Sequence, residues 1–389
     1  MLTKRKVLVA ITARPSYSRI RTTLQALAQQ PNVSLQCLCS GAALSDVHGR
    51  VADLIRQDGF TVADECVTLV PGNEPRHMAY TTARTVEQTT TYLEQYRPDW
   101  VVTIADRYET LGTAVAAAYM GIPLIHVQGG EITGNIDERV RHAVTKLSDI
   151  HLVANQQAAN RLMRMGEHPD RIFVTGCPSV DLARAARELP LAHVEEAIRS
   201  GAQGHSINLQ EDFIVVLQHA DTTEHQSSYQ HMRLTLESVR RTGLPYFIFN
   251  PNSDAGSAAV TRAVEDFLEE GKAGVCCRVN NLEGKLFLRL LAQSRCLVGN
   301  SSVGIRECAF LGTPVVNLGD RQRGRERGDN VYDCSWDAKA LAQALRKQIQ
   351  RSYGGSQIYG SGYSGELMAD IIAHLPEPTA KCFHEAGEE

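Results

Sequence analysis

The sequence predicts an α/β protein made of two doubly wound, Rossmann-like domains. With 389 residues, the chain is longer than one hydrophobic core usually serves, which favours two domains. Short apolar runs alternate with amphipathic stretches from end to end, a pattern typical of βα repeats around a parallel sheet. Turn residues at Gly176-Cys177-Pro178 interrupt this pattern and predict the connection between the domains.

Apolar runs of strand length recur in both halves, with helical spacing between them. In the first half they are Val7–Ile11, Ser34–Cys39, Trp100–Ile104, Leu124–Val127, His151–Val153 and Ile172–Val174. In the second half they are Phe213–Leu217, Pro245–Phe249, Gly274–Val279, Cys296–Val298 and Pro314–Asn317. We therefore expect domains at residues 1–178 and 179–365, with a C-terminal helical segment at 366–389 that joins the first domain.

The composition is that of a soluble globular protein, with 43% hydrophobic and 22% charged residues. A formal net charge of -4 does not indicate a basic surface for binding nucleic acid. No apolar run approaches the roughly 18 to 20 residues of a membrane span. The ten cysteines are scattered and lack the paired spacing of a zinc site, which favours buried free thiols in a reducing cytoplasm. We expect a cytoplasmic protein that needs no metal and binds neither nucleic acid nor membrane.

Two loops of the second domain are suited to phosphate. Open α/β sheets bind ligands at the carboxyl ends of their strands, so two facing sheets would line a cleft with such loops. Ser301 and Ser302 follow Gly299-Asn300 at the start of an apolar helix, where free N–H groups and hydroxyls would meet an anion. An ordinary serine N-cap is the alternative. Glu307, one turn along the same predicted helix, is placed to accept from ribose hydroxyls or is simply an exposed helix residue.

The second of these loops is rich in arginine. Between Gly319 and Arg327 it carries four arginines, including Arg321 and Arg325, whose guanidinium groups match phosphate oxygens. A solvated surface loop is the alternative. In the first domain, Arg14 and Ser18 follow the first strand and open a helix, so cations and hydroxyls again meet an N-terminus.

The first domain also supplies candidate acids and bases. Asp106 and Arg107 follow one strand, although Asp106 could be a plain N-cap. Glu131 and Asp137 follow the next strand, and carboxyl groups crowded beside cations can have their pKa values pushed apart, as proton transfer requires. In the second domain His219 ends a strand, where a lone histidine is more often structural.

Several long motifs resemble, in the same order, those of the hydrolysing UDP-N-acetylglucosamine 2-epimerases of sialic acid biosynthesis, including the epimerase half of the bifunctional animal epimerase/kinase. The resemblance covers nearly the whole chain. The motifs are Gly129-Gly130-Glu131 through Asp137, Arg141–Leu147, Gly176-Cys177-Pro178-Ser179, Asn252-x-Asp254-Ala255-Gly256-Ser257, Gly299-Asn300-Ser301-Ser302, and Gly312–Gly319 running into Arg321-Gln322-x-Gly324-Arg325.

The resemblance implies a two-domain fold like that of the GT-B glycosyltransferases, with UDP mainly on the second domain and the sugar in the cleft. It implies an enzyme that removes the C2 proton of a UDP-sugar while UDP leaves from C1, giving a glycal to which water adds. No metal or redox cofactor is needed, and a homodimer or homotetramer is expected. The implied UDP-site and substrate residues are Arg14, Ser18, Arg107, Gln128, His219, Asn252, Ser301, Ser302, Glu307, Arg321 and Arg325; the implied catalytic residues are Asp106, Glu131, Asp137 and His219.

One departure from the family pattern bears on the chemistry. The animal enzyme has a catalytic glutamate where this chain has Gln128, and an amide cannot accept a proton at neutral pH. Either Glu131, Asp137 and Asp106 carry the proton chemistry, or the reaction or sugar differs. Ala105 stands where relatives often have glycine, and Val303 where many have serine or cysteine.

A second departure lies at residues 280–282, Asn-Asn-Leu, where the animal enzyme uses a Lys-His pair to bind its pathway end product, CMP-sialic acid. Feedback by that ligand is therefore not expected. The alternatives to UDP-N-acetylglucosamine hydrolysis and epimerisation are action on another nucleotide sugar such as UDP-diacetylbacillosamine, a glycosyltransferase, and a non-catalytic nucleotide-sugar binder.

Overall fold

The computed structural model describes residues 4–46, 50–72, 74–133, 136–220, 225–251, 256–280, 282–377 and 379–385. The chain divides into two compact units. The N-terminal unit is Met1–Asp181 with Gly360–Glu389, and the C-terminal unit is Leu182–Tyr359. These limits lie near the 178/179 and 365/366 boundaries expected from the sequence.

The N-terminal unit contains a seven-stranded parallel sheet in the order β3-β2-β1-β4-β5-β6-β7. Its strands are β1 Arg5–Ile11, β2 Val33–Ser40, β3 Val62–Cys66, β4 Trp100–Ile104, β5 Leu124–Val127, β6 Ile150–Val153 and β7 Ile172–Val174. Its helices are α1 Arg14–Ser18, α2 Arg21–Ala28, α3 Val51–Gln57, α4 Pro75–Tyr96, α5 Tyr108–Tyr119, α6 Ile136–Leu147, α7 Gln156–Arg164 and α16 Ser364–His374. Short 3-10 helices occupy Gly41–Leu44 and Pro169–Arg171.

Helices cover both faces of this sheet, because its strands are apolar on both sides. Alternate residues of β1 separate the two cores: Val7 and Val9 pack into one, and Leu8 packs into the other. Helix α16, whose Met368 and Ile372 are fully buried, packs on α2 within the first of these cores. The C-terminal residues of the chain thus complete the core of the N-terminal unit.

The C-terminal unit contains a second seven-stranded sheet, in the order β14-β13-β12-β9-β10-β11-β8. Its strands are β8 Ala202–Gly204, β9 Ile214–Leu217, β10 Tyr246–Phe249, β11 Cys276–Val279, β12 Cys296–Gly299, β13 Val315–Leu318 and β14 Val331–Cys334. Its helices are α9 Leu191–Gly201, α10 Ser228–Arg240, α11 Ser257–Glu269, α12 Gly284–Gln293, α13 Ser302–Ile305, α14 Glu307–Leu311 and α15 Ala338–Ile349, with a 3-10 helix at His225–Ser227. Helix α8, Pro178–Arg187, carries the chain from the first unit to the second.

Three edge strands were not predicted. Strand β3 carries Asp64 and Glu65 in its five residues, β14 is short and partly polar, and β8 reads Ala-Gln-Gly. Edge strands bury less than central ones, so their sequences need not form an apolar run. Strand β8 also pairs antiparallel to β11, an exception to the parallel sheet that the βα pattern predicted. The α/β class with two Rossmann-like units is confirmed.

Of the ten cysteines, nine are buried and Cys382 is exposed; none forms a disulfide. Within the described residues, no helix is both long and apolar enough to cross a membrane.

Candidate active site

The turn that follows β4 carries the first candidate carboxylate. Ala105 adopts a left-handed backbone conformation, with φ of 61°, and His126 donates from Nε2 to its carbonyl oxygen at 2.8 Å. Asp106 follows, and its carboxylate is ion-paired with the guanidinium of Arg141. Arg107, rather than Asp106, occupies the N-cap position of α5. The N-cap alternative for Asp106 is therefore wrong, since its side chain engages α6 instead.

Arg141 connects three segments of this site. It is 1% exposed and lies in the second turn of α6. Besides Asp106, it donates from Nη1 to the carbonyl oxygen of Glu131 at 2.5 Å and from Nη2 to the hydroxyl of Thr133 at 3.4 Å. One buried guanidinium thus joins the loop after β4, the loop after β5 and α6. Sequence reasoning included Arg141 in a family motif but assigned it no role.

The surroundings of Asp106 favour its ionised form. Burial acts to raise the pKa of this carboxyl, but the charges of Arg141 and Arg19 and the hydrogen bond from Arg141 outweigh burial, so the pKa of Asp106 is lowered. At neutral pH Asp106 is a carboxylate that can accept a proton but has none to give.

Arg107 is paired with a buried glutamate. Its Nε and Nη2 donate to the two carboxylate oxygens of Glu109 at 3.1 and 3.0 Å, and Glu109 is 0% exposed. Burial would lower the pKa of Arg107, but Glu109, and to a smaller extent Asp137, raise it. Asp137 lies half-buried in the first turn of α6. The sequence did not indicate that Glu109 would fix Arg107.

The loop after β5 begins with a second left-handed residue, Gln128, with φ of 66°. Gln128 is 2% exposed, and its Nε2 lies 2.9 Å from the Sγ of Cys177, which in turn lies 3.0 Å from the Oγ of Ser179. Glu131, also 2% exposed, ends the Gly129-Gly130 turn. The amide of Gln128 and the carboxylate of Glu131 therefore lie on one buried loop.

Arg14 and Ser18 lie at the carboxyl end of β1, next to β4 in the sheet. Both are exposed, and the hydroxyl of Ser18 donates to the carbonyl oxygen of Arg14 at 2.9 Å. The structure therefore places Arg14, Ser18, Asp106 and Arg107 along the same edge of the N-terminal sheet.

In the C-terminal unit, Asn300 holds the strand ends together. It is 1% exposed; its Oδ1 accepts from the backbone N–H of His219 at 2.7 Å and its Nδ2 donates to the His219 carbonyl at 3.0 Å. The preceding Gly299 is required, because a Cβ there would lie 1.9 Å from the carbonyl oxygen of Leu217. The loops after β9 and β12 are thereby fixed to each other.

The serine turn differs from the prediction in one respect. Ser301 is the N-cap of α13 and its Oγ accepts from the N–H of Val303 at 3.5 Å, as the N-cap alternative expected. The predicted single helix is instead two short ones, α13 and α14, separated at Arg306. Glu307 therefore begins α14 and does not lie on the helix that Ser302 begins. Because α13 has four residues, its macrodipole is small, and the turn depends on its N–H and hydroxyl donors.

The arginine loop packs against the serine turn. The carbonyl oxygen of Asn300 accepts from Gln322 Nε2 at 2.9 Å and from Arg321 Nη1 at 3.3 Å, and Arg325 Nη1 donates to Gln322 Oε1 at 2.7 Å. Arg321 and Arg325 are half-buried, while Arg323 is exposed. Arg327 is also half-buried, so the solvated-loop alternative describes only Arg323 of the four arginines.

The predicted site residues form two groups. In the N-terminal unit, Arg14, Ser18, Asp106, Arg107, Gln128, Glu131 and Asp137 lie on the loops after β1, β4 and β5 and at the start of α6. In the C-terminal unit, His219, Ser301, Ser302, Glu307, Arg321 and Arg325 lie on or next to the loops that Asn300 connects. Asn252 lies outside the described residues. Among the side chains the structure describes, no group of three or more His, Cys, Asp or Glu is placed to hold a metal ion.

Comparison with known proteins gives a consistent assignment. The sequence model of the family described as UDP-N-acetylglucosamine 2-epimerase matches residues 25–373. A UDP-N,N'-diacetylbacillosamine 2-epimerase (hydrolyzing) from Legionella pneumophila is 28% identical over 96% of both chains. A UDP-N-acetylglucosamine 2-epimerase from Neisseria meningitidis is 25% identical over 88% of this chain and 87% of its own.

Solved structures support the same fold. The crystal structure of UDP-GlcNAc 2-epimerase from Neisseria meningitidis bound to UDP-GlcNAc superposes with a TM-score of 0.79 at 17% identity, covering 94% of this chain and 99% of that one. That of the enzyme from Methanocaldococcus jannaschii gives a TM-score of 0.74 at 16% identity, covering 95% and 99%. Because the family model spans nearly the whole chain, the protein belongs to the UDP-N-acetylglucosamine 2-epimerase family.

Proposed function

We propose that this protein is a hydrolysing 2-epimerase that converts UDP-N-acetylglucosamine, or a closely related UDP-HexNAc, to the free 2-epimer and UDP. For UDP-N-acetylglucosamine the product is N-acetylmannosamine. The observation that carries this proposal is the buried contact of Arg141 with Asp106 and Glu131. The Arg141 guanidinium pairs with the ionised carboxylate of Asp106 and donates to the backbone carbonyl of Glu131, so the two loops that carry these acidic residues are held side by side. Membership of the epimerase family supports the reaction class.

In the proposed first step, a carboxylate removes the proton at C2 while the bond between C1 and the diphosphate oxygen breaks. The electron pair of the C2–H bond forms the C1–C2 double bond, and UDP leaves with the electrons of the C1–O bond. Asp106 is suited to the base role because Arg141 keeps it ionised. We assign the charge that develops on UDP to the Ser301–Ser302 turn, Arg321 and Arg325, with His219 beside the diphosphate.

In the second step, water adds to the glycal at C1 and a proton returns to C2 on the face opposite the one that lost it. Two acid–base groups on opposite faces of the ring are needed for this inversion. We assign the second role to Glu131 or Asp137, which lie on the loop after β5 and at the start of α6. Overall, one UDP-sugar and one water give UDP and the free 2-epimer.

Gln128 takes no proton in this scheme. Its side chain is fixed by Cys177, and an amide can donate a hydrogen bond to a sugar hydroxyl or acetamido oxygen. Because Gln128 cannot transfer a proton, we assign the proton transfers to Asp106 and to Glu131 or Asp137.

UDP-N,N'-diacetylbacillosamine is the second candidate substrate. The relative from Legionella pneumophila, 28% identical over 96% of both chains, is named for that sugar. The same two-step chemistry would apply, since the two substrates react at C1 and C2.

The test is incubation with each UDP-sugar in deuterated water, with products identified by NMR. Release of UDP together with a free 2-epimer deuterated at C2 supports the hydrolysing reaction, and the faster substrate identifies the sugar. A UDP-linked 2-epimer without UDP release would indicate a non-hydrolysing epimerase, and UDP binding without turnover of either substrate would contradict the proposal.

Asp106→Asn should abolish exchange of the C2 proton. Asp99→Asn is the matched control, because Asp99 lies at the opposite, amino end of β4, where it accepts from the N–H of Lys6 at 2.7 Å.

A further inference from the structure

Two buried polar side chains lie beneath the loops after β4 and β5 and have no part in the chemistry above. They are His126 in β5 and Thr145 in α6, both 0% exposed. His126 Nε2 lies 2.8 Å from the carbonyl oxygen of Ala105, and its Nδ1 lies 3.1 Å from Thr145 Oγ1. Both ring nitrogens are therefore hydrogen-bonded.

The direction of these hydrogen bonds follows from the partners. The Ala105 carbonyl can only accept, so Nε2 of His126 carries the proton and donates. In a neutral ring Nδ1 then accepts from the Thr145 hydroxyl, and burial, which lowers the pKa of His126 to about 3, keeps the ring neutral. The tautomer of His126 is fixed by its two neighbours.

The pair also contacts the second loop. A Cβ at Gly129 would lie 2.9 Å from Thr145 Oγ1 and 3.0 Å from His126 Nδ1, so the backbone at Gly129 rests directly on both groups. One pair of side chains thus supports the Ala105–Asp106 turn and the loop that carries Gln128 and Glu131.

The turn at Ala105 needs such support. A left-handed conformation is unfavourable for a residue that has a Cβ, so the backbone at Ala105 needs neighbouring contacts to hold it there. Asp106 is the next residue, so a change in the backbone at Ala105 would alter the position of its carboxylate relative to Arg141.

Thr145 is itself held from the C-terminal segment of the chain. The ammonium of Lys381 donates to the carbonyl oxygens of Thr145 at 3.1 Å, Lys146 at 3.0 Å and Ser148 at 2.6 Å. These carbonyls end α6, the helix that carries Asp137 near its start and Arg141 in its second turn. A cation at this end of the helix also complements its dipole.

We propose that Thr145 and His126 are positioning residues that set the Asp106 carboxylate in its catalytic geometry, and that Lys381 holds α6 from the opposite end. This inference rests on the proposed function, because the proposed function is what assigns Asp106 as the base. The linkage runs from Lys381 to Thr145, His126, the Ala105 carbonyl and Asp106.

The test compares Thr145→Val, which removes the hydroxyl, with Thr145→Ser, which keeps it. Thr89→Val is the matched control: Thr89 is 0% exposed in α4, and its hydroxyl has no hydrogen-bond partner among the described residues. We expect kcat to fall about tenfold or more in Thr145→Val with KM and UDP affinity little changed, to be largely restored in Thr145→Ser, and to be unaffected in Thr89→Val. Lys381→Met should lower kcat by a smaller factor, and Lys381→Arg should restore it.

Equal effects of Thr145→Val and Thr145→Ser, or an effect of Thr145→Val no larger than that of Thr89→Val, would overturn the proposal. The backbone amide resonance of Asp106 gives a readout that needs no turnover, and we expect it to shift in Thr145→Val but not in Thr89→Val. If the unmodified protein turned over no nucleotide sugar, the proposed function would fail, whereas an unmoved Asp106 resonance in a folded Thr145→Val would refute the positioning role.

Discussion

The two groups of site residues are held in place by different kinds of interaction. In the N-terminal unit the framework is charged: buried Arg141 pairs with Asp106, and Arg107 pairs with buried Glu109. In the C-terminal unit it is neutral: the amide of Asn300 and that of Gln322 connect the loops through backbone groups. Two arginines there also donate to neutral oxygens, Arg321 to the Asn300 carbonyl and Arg325 to Gln322 Oε1, whereas Arg327 pairs with the Asp333 carboxylate.

This difference corresponds to the proposed division of work. A proton-transfer site gains from carboxylates whose ionisation is fixed by neighbouring cations. A site for a diphosphate gains from N–H, hydroxyl and guanidinium donors that are held in fixed positions. Four predictions, ordered by expected effect, test whether the two frameworks are separable.

The largest effect is expected from Arg141→Met. Removing a buried guanidinium while its carboxylate partner remains typically costs about 3 to 5 kcal/mol, and the Glu131 carbonyl also loses its donor. We expect turnover to fall by about a hundredfold or more, with a lowered unfolding midpoint for the N-terminal unit. Steady-state kinetics and urea unfolding measure the two effects.

Affinity for UDP is the control for this variant. Isothermal titration with UDP should show that Arg141→Met changes the Kd far less than it changes turnover, because the loops to which we assign the diphosphate are in the C-terminal unit, although Arg14, Ser18 and Arg107 of the N-terminal unit are also expected to contact the ligand. A Kd weakened as much as turnover would show that the two frameworks are not separable.

The second effect is acid lability that is greater in the N-terminal unit than in the C-terminal unit. The pKa of His126 is lowered by burial from 6.5 to about 3, so between these values the unfolded chain binds a proton that the folded unit does not. Stability is therefore complete above pH 6.5 and falls as the pH drops towards 3, by about 3 kcal/mol near pH 4. Glu167, whose pKa is lowered to about 2 by His151, Lys146 and Lys381 against the effect of burial, adds to the loss below its ordinary value.

The two tryptophans allow each unit to be followed separately. Trp100 is in β4 and Trp336 follows β14, so Trp336→Phe leaves a reporter in the N-terminal unit and Trp100→Phe leaves one in the C-terminal unit. Urea midpoints at several pH values should fall more steeply for the Trp100 reporter. His126→Gln should flatten that pH dependence, and equal slopes for both reporters would contradict the assignment.

The third effect concerns the neutral framework. Asn300→Ala removes both hydrogen bonds to the backbone of half-buried His219, and each lost hydrogen bond typically costs about 0.5 to 1.5 kcal/mol. We expect the Kd for UDP to rise by about tenfold or more, measured by titration calorimetry, while the acid lability of the N-terminal unit is unchanged. An unaltered Kd would mean that Asn300 does not position the serine turn.

The sequence predicted the positions of the site loops better than their interactions. Central strands such as β4 and β5 are largely apolar runs, so their ends, and with them Asp106 and Gln128, could be located to the residue. Arg141 and Asn300 were recognised only as members of longer motifs. Neither spacing nor composition indicates which buried group a side chain will contact. The break at Arg306 was missed because no proline marks it and the nearby Gly304 lies within α13 rather than at the break.

The smallest effect separates backbone strain from packing at one strand end. Among the described non-glycine residues, positive φ is confined to Arg97, Ala105 and Gln128, so Ala105→Gly should relieve strain and stabilise the N-terminal unit by up to about 1 kcal/mol. Ala154 is the matched control, because it directly follows β6 as Ala105 follows β4, is 1% exposed and does not have a positive φ. Ala154→Gly should destabilise by about 0.5 to 1 kcal/mol. If urea unfolding followed by Trp100 fluorescence gave the same loss of unfolding free energy for both variants, the turn at Ala105 would not be strained. His126 would then not be needed to hold Ala105 in a left-handed conformation.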